Sequence, residues 1–225
     1  SNFPQSGPER HQGQGLFLFD KDTLAARDFW RGALTRDIGS STVPADRCNR
    51  DASDARTGSS LSRITGATWS KVKVLTQSKP SLVNLVVLAA VASVLHRITG
   101  SGVVVLGSPP RGEDLEPNAL PLVMDLSEGQ TFRELLVHIK GVAQKAYRHQ
   151  QYPHTSIVRD LGLSEEAGRY PLFDVSVRCT GLHGPLPSTT EDIAILMSPT
   201  EEALGLEITY KPALFDESTI ERFKW

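Results

Sequence analysis

The sequence predicts a mixed α/β fold, and three segments carry that prediction. Val103–Leu106 is an unbroken aliphatic run, of the kind that forms a buried strand. Residues 131–152 repeat apolar side chains at three- and four-residue intervals, the mark of an amphipathic helix. Residues 81–99 are apolar nearly all round and are followed by Gly100, a good helix stop. Strand and helix signals are mixed along the chain, which leaves α/β or α+β, and α/β is the assignment adopted.

The elements read as follows. Residues 1–15 are rich in Ser, Gly, Pro and Gln and have little to bury, so they are expected to be a disordered linker or tag remnant. Leu16–Phe19 is a short apolar patch. Thr23–Leu34 has helical spacing, with Leu24, Phe29, Trp30 and Leu34 as candidate buried positions. Residues 37–60 are polar and read as a long loop. Ser60–Thr65 alternates weakly, as a strand does, and Ala67–Lys79 reads as a helix whose apolar positions are Trp69, Val72, Val74 and Leu75. Pro80 punctuates before the 81–99 helix. Pro109-Pro110 ends the Val103–Leu106 strand, and Leu120–Leu126 reads as the next one.

Thr131 and Glu134 match a capping box, worth about 1 kcal/mol. The helix they open carries an apolar stripe from Phe132 through Leu135, Leu136, Ile139, Ala143 and Tyr147. Pro153 ends that helix or starts a short one reaching Leu161. Phe173–Cys179, Ile193–Met197 and Leu206–Tyr210 are further strands, and a last helix begins near Asp216, which is placed to cap it.

Composition narrows the function. The chain has 225 residues, 39% apolar and 22% charged, enough for one sizeable core or two small ones. A formal charge of −2 argues against a nucleic-acid partner. Cys48 and Cys179 lie far apart with no Cys/His cluster, so no metal site is expected, and two reduced thiols in a cytoplasmic protein are the favoured reading. No basic stretch followed by an apolar run opens the chain. Ser81–Leu95 falls short of the ~20 residues of a membrane span and is interrupted by Asn84 and Ser93, so a buried helix and no membrane are expected. The chain starts at Ser1-Asn2 without methionine, as a piece of something longer would.

A series of short motifs points further. The long helix ends in His96-Arg-Ile-Thr-Gly100, and the next strand leads into Gly107-Ser-Pro-Pro-Arg-Gly112. Asn118-Ala-Leu-Pro-Leu122, His149-Gln-Gln-Tyr-Pro153, Arg169-Tyr-Pro-Leu-Phe173 and Leu214-Phe-Asp216 follow in order, with Asp28-Phe-Trp30 and Val43-Pro-Ala-Asp-Arg47 before them. In this order the motifs resemble the C-terminal half of the condensation domain of nonribosomal peptide synthetases, across Asp28 to Phe223. The resemblance implies that residues 16–225 form a single lobe of the chloramphenicol-acetyltransferase-like fold, a mixed β-sheet with packed helices. In that family two lobes enclose a tunnel, where donor and acceptor on phosphopantetheine arms of carrier proteins are joined by a peptide bond. The partners implied are the adenylation and peptidyl-carrier domains of the same synthetase, with no cofactor bound directly.

Two departures matter. The family's catalytic motif is His-His-x-x-x-Asp-Gly, and none of His11, His96, His138, His149, His154 and His183 has an aspartate four residues on. The arginine that follows the family's Asn-Thr-Leu-Pro-Leu is Val123 here. The expectation is a lobe without catalytic residues of its own: a platform for the neighbouring adenylation domain, or half of an enzyme completed by a lobe that carries the missing motif. An isolated lobe is also expected to self-associate through the face its neighbour would cover.

The site candidates are motif residues. Gly107 suits a tight turn, Asn118 suits holding the strand entry, and Gln150 and Pro153 flank the helix break. Arg169 anchors a loop or is simply solvated. His149 has a motif's claim to function, but a histidine at a helix carboxyl end favoured by the helix dipole is the preferred reading. Arg133, Lys140, Lys145 and Arg148 lie on the polar side of the 131–152 helix, where they meet an acidic carrier or are solvated.

Overall fold

A computed structural model describes residues 21–34, 41–48, 56–112, 115–126, 129–164, 168–184, 186–187 and 191–224. The readings of residues 1–15 and Leu16–Phe19, and part of the 37–60 loop, lie outside these. In chain order the elements are α1 (Lys21–Ala33), β1 (Gly58–Ile64), α2 (Gly66–Thr76), α3 (Pro80–Thr99), β2 (Val103–Ser108), β3 (Leu120–Asp125), α4 (Phe132–Arg148), α5 (His154–Asp160), β4 (Val175–Cys179), β5 (Ile193–Pro199), β6 (Leu204–Tyr210) and α6 (Glu217–Phe223).

The strands form one mixed sheet in the order β1-β6-β5-β4-β2-β3. β2, β4 and β5 run parallel, and β1, β6 and β3 run against their neighbours. Strand alternation gives the sheet a dry face, with Leu106, Leu122, Met124, Val175, Val177 and Ile193 fully buried. α3 and α4 pack on that face over β2, β3 and β4. The opposite face stays open along β1, β6 and β5, where Leu61, Arg63, Glu207 and Leu196 are exposed or half-exposed.

α3 is apolar and long enough to cross a membrane, but one side of it lies on the sheet and α4, burying Leu88, Ala92 and Leu95. α4 opens with the capping box the sequence predicts: the Glu134 N–H donates to Thr131 Oγ1 while the Thr131 N–H donates to Glu134 Oε2.

Several readings need correction. Leu24 and Phe132 are exposed, because each sits at the margin of its helix's apolar stripe. α2 ends at Thr76, short of Lys79. Gln77 and Ser78 both take positive φ, and their N–H groups bond back to the Val74 and Lys73 carbonyls, a left-handed stop that closes the helix before Pro80. Asp216 precedes α6, but its side chain does not cap it and pairs instead with Arg47. The cap comes from Asp46, whose carboxylate accepts from the Asp216 N–H (2.8 Å) and the Thr219 hydroxyl (2.9 Å).

β2 and β4 meet at one register pair, Gly107↔Ser176. Beyond it the strands part, and the segment after α1 fills the gap. The Val105 N–H donates to Ser41 Oγ (2.9 Å), and the Ser41 N–H donates to Asp174 Oδ2 (3.1 Å). Asp174 is buried and takes a two-pronged bond from Arg169 (2.7 and 3.0 Å). Beside it buried Asp192 accepts from Lys211 (3.1 Å). Buried carboxylates need such partners; stripping one away costs several kcal/mol.

Gly107 is required at the close approach. A Cβ there would lie 2.2 Å from the Phe173 ring. We expect Gly107→Ala to lower unfolding stability by about 1–3 kcal/mol, read as a fall in denaturant midpoint. Phe173→Leu in the same chain should return part of the loss.

Candidate functional site

Three connections converge at the carboxyl ends of β2 and β4: the β2–β3 turn, the α4–α5 link and the loop after β4. One buried amide ties the first two. Asn118 Nδ2 donates to the carbonyls of Gln150 (2.7 Å) and Tyr152 (2.9 Å). Its Oδ1 accepts from the N–H groups of Ala119 (2.9 Å) and His154 (2.8 Å) and lies 3.2 Å from His154 Nδ1. An amide oxygen only accepts, so the His154 proton sits on Nδ1. Gln150 extends the tie: its Oε1 accepts from the Arg111 N–H (2.8 Å), and its Nε2 donates to the Arg111 carbonyl (3.3 Å). The third loop joins through Gly112 N–H to the Leu182 carbonyl and Gly184 N–H to the Pro110 carbonyl.

Beneath these loops lies a buried polar chain. The Cys179 N–H donates to His183 Nδ1 (3.0 Å), so the neutral ring carries its proton on Nε2. That proton points at the Tyr147 hydroxyl (3.0 Å), which lies 3.0 Å from Ser108 Oγ, and Ser108 donates to the Pro109 carbonyl (3.1 Å). Every hydroxyl therefore has one direction: His183 gives to Tyr147, Tyr147 to Ser108, Ser108 to the backbone. Burial, reinforced by the charges of Arg178 and Arg111, pushes the His183 pKa down to about 4. Burial pushes the Cys179 thiol up to about 11 and holds it protonated.

The sequence candidates fall into two groups. Asn118, Gln150 and Pro153 come together at this corner, Pro153 standing at the start of α5, whereas Gly107 serves no tight turn and lies within β2, paired with Pro121 and Ser176 beneath the Phe173 ring. Arg169 is the partner of Asp174 and not a solvated residue. His149 ends α4; its ring stacks on Phe29 (centroids 4.6 Å apart) and its carbonyl accepts from Trp30 Nε1 (3.2 Å). At about 100° per residue, Arg133, Val137, Lys140, Gln144 and Arg148 fall on one line of α4, and all are exposed. Lys145 is exposed but lies roughly a quarter turn away from that line. An open basin of about 520 Å³ lies at the amino end of the stripe, lined by Thr131, Arg133, Glu134, Val137 and His138.

Sequence reasoning missed Ser108, Tyr147 and His183. Tyr147 reads as one of the apolar positions of its helix, yet a buried phenol needs a partner for its hydroxyl, and that need is a usable signal. Nothing local marks His183. Among the described residues no group of three or more His, Cys, Asp or Glu side chains is placed to hold a metal.

The match to known proteins agrees with this architecture. The condensation-domain family profile matches residues 12–225. The chain belongs to the condensation-domain family. It is 27% identical over 222 residues to a plipastatin synthase of Bacillus subtilis (strain 168), a match covering 87% of this chain and 6% of that one. It is 25% identical over 233 residues to bacitracin synthase 3 of Bacillus licheniformis, covering 93% of this chain and 4% of the synthase. The chain thus spans a small fraction of the length of these relatives. In fold it is similar to the X-domain from teicoplanin biosynthesis (TM-score 0.75, 23% identity, 94% of this chain and 53% of that one). It is also similar to AB3403, a four-domain nonribosomal peptide synthetase (TM-score 0.78, 18% identity, 92% and 19%). The fold is the mixed sheet with packed helices of the chloramphenicol-acetyltransferase-like class, at about half the length of the condensation-type structures it resembles.

Two measurements test the corner. Asn118→Ala leaves donors and acceptors on two segments, the β2–β3 turn and the α4–α5 link, unmet and should cost about 3 kcal/mol or more of unfolding free energy. His183 contributes a pH step: its folded pKa, about 4, lies below the ordinary 6.5, so the folded state binds fewer protons between these values. Stability is full above pH 6.5 and falls by up to about 3 kcal/mol as the pH drops towards 4. His183→Gln, which cannot titrate, should lack that step in an acid titration of stability.

Proposed function

We propose that this chain is the C-terminal lobe of a condensation domain in a nonribosomal peptide synthetase, without catalytic activity alone. It serves as a structural platform for the neighbouring adenylation domain. The observation that carries this reading is the state of its histidines. His96 Nδ1 lies 2.6 Å from the Ser101 carbonyl, and His138 Nε2 accepts from the Asp125 N–H. His149 is stacked on Phe29, His154 is turned to Asn118, and His183 is buried in the polar chain. None is paired with an aspartate in the family's spacing. Similarity to the teicoplanin X-domain supports the platform role, because that domain is found in complex with OxyB, so the architecture holds a partner protein there.

Two surfaces suit the partners. The adenylation domain is assigned to the outer side of α2 and α3, where Val74 is 81% and Leu75 62% exposed at the end of α2 and Ile98 is exposed at the far end of α3. The basic stripe of α4, with exposed Val137 in its line, is assigned to a carrier domain bearing a phosphopantetheine arm. In isolation the apolar positions of α2 and α3 are expected to drive self-association. Light scattering should show oligomers that Val74→Glu with Leu75→Glu disperses.

A second reading rests on length. The chain covers about half of each solved condensation domain it resembles, so a first lobe on the same or another polypeptide would complete an active site. The two readings separate in a condensation assay with loaded donor and acceptor carriers. The chain alone should give no product above background, with His149→Ala no different. Product that disappears in His149→Ala would overturn the platform reading. Product that appears only when a first lobe is added selects the second.

A further inference from the structure

The sheet ends at β3 on one side and at β1 on the other, and the two edges are built differently. On β3 the outward groups are thinned: Pro121 has no N–H, and the Asp125 N–H donates to His138 Nε2 (3.1 Å). β1 has no proline, and it pairs with β6 from Gly58 to Ile64 without a break. The register tells which of its groups are free. The Lys211 N–H donates to the Asp192 carbonyl, so odd-numbered residues of β6 bond β5 and even-numbered ones bond β1. Ser60 and Ser62 lie opposite Ile208 and Leu206 and bond β6, which leaves Ser59, Leu61 and Arg63 with their N–H and C=O groups turned outward. Lys224 Nζ donates to the Leu61 carbonyl (3.3 Å) from outside the sheet, in agreement. Among the described residues it is the one partner that these outward groups have.

We propose that two copies of this chain pair through β1, antiparallel about a two-fold axis at Leu61, and join their six-stranded sheets edge to edge. In that register Leu61 lies opposite the partner's Leu61, and Ser59 lies opposite the partner's Arg63. Every outward N–H then meets an outward C=O. The Leu61 carbonyl has a second lone pair, so Lys224 can keep its bond. The side chains of Ser59, Leu61 and Arg63 share the open face of the sheet, and all three are exposed. Leu61 is 73% exposed, and across the axis it covers its counterpart and removes apolar surface from water on both copies. Charge fits the same register. Ser59 Oγ bonds Glu207 (3.3 Å), so the guanidinium of the partner's Arg63, opposite Ser59, comes within reach of that carboxylate, and no cation faces a cation. α6 leaves the edge clear, because it lies against the other face, where Glu221 bonds Ser60 and Lys224. Two single strand edges bury less than the about 1,200 Å² of a standard interface, so the dimer is reversible and grows with concentration.

The pairing is independent of the platform reading and of the apolar end of α2. Its test uses the whole chain carrying Val74→Glu with Leu75→Glu, which disperses larger assemblies and leaves this edge untouched. Sedimentation equilibrium should show a monomer–dimer equilibrium, and amide exchange at Ser59, Leu61 and Arg63 should slow as the concentration rises. Leu61→Pro removes the donor at the axis, one that β6 does not use, and should abolish the dimer. Leu61→Lys places like charges across the axis and should weaken pairing about fivefold or more. Circular dichroism of both variants should match the parent chain and separate lost pairing from lost folding. Arg63→Glu should also weaken the dimer, and adding Glu207→Arg should restore it. A chain that stays monomeric up to about 1 mM, a dimer that a folded Leu61→Pro or Leu61→Lys variant leaves unchanged, or failure of the charge exchange to restore pairing overturns the proposal.

Discussion

One side-chain amide holds the working end of this lobe together. Asn118 satisfies two carbonyls and two N–H groups, three of them from segments more than thirty residues away in the chain. The Ala119 N–H and the Tyr152 carbonyl are met at buried bonds, and an unmet buried backbone group costs as much as a lost bond. The alternatives to asparagine fail for stated reasons. Aspartate has no donor for the Gln150 and Tyr152 carbonyls, and leucine has neither donor nor acceptor. The β2–β3 turn, the break between α4 and α5 and the entry of β3 are therefore set by a single residue, and the Gln150 clamp on Arg111 follows from where Asn118 places the Gln150 backbone.

The second constraint is the parting of β2 from β4. A parallel sheet that stayed paired would meet its hydrogen bonds internally, but these strands share one register pair. The Val105 N–H is left for Ser41, Ser41 is held by Asp174, and Asp174 is neutralised by Arg169. A polar segment from early in the chain thus repairs a sheet built from later strands. The Phe173 ring over Gly107 covers the gap on the face opposite α3 and α4.

Much of this was legible from residue patterns. The β-branched run gave β2, the spacing from Leu135 to Ala146 gave α4 with its cap, and Gly100 marked the end of α3. Motifs widely separated in sequence, Asn118, His149-Gln-Gln-Tyr-Pro153 and the 107–112 turn, meet in space. What escaped has a common physical origin: it depends on partners that sequence proximity does not reveal. Arg169 could not be told from a solvated arginine until Asp174 was seen to be buried beside it. Tyr147 and His183 are 36 residues apart and are recognisable only as a pair. Lys145 lies off the line of Arg133, Lys140 and Arg148 because of helical phase, which a count of positive charges ignores.

The cap of α6 has a consequence for how the chain assembles. The carboxylate that seats its first turn belongs to Asp46, 170 residues before Asp216, and the same early segment bonds the Leu214 carbonyl through the Asp46 and Arg47 N–H groups. A seven-residue helix has little stability of its own. It must wait for an entropically expensive loop to close, so this short helix depends on a segment far earlier in the chain. Early and late halves of the lobe are thereby coupled into one cooperative unit, and a cut between them would unravel both ends.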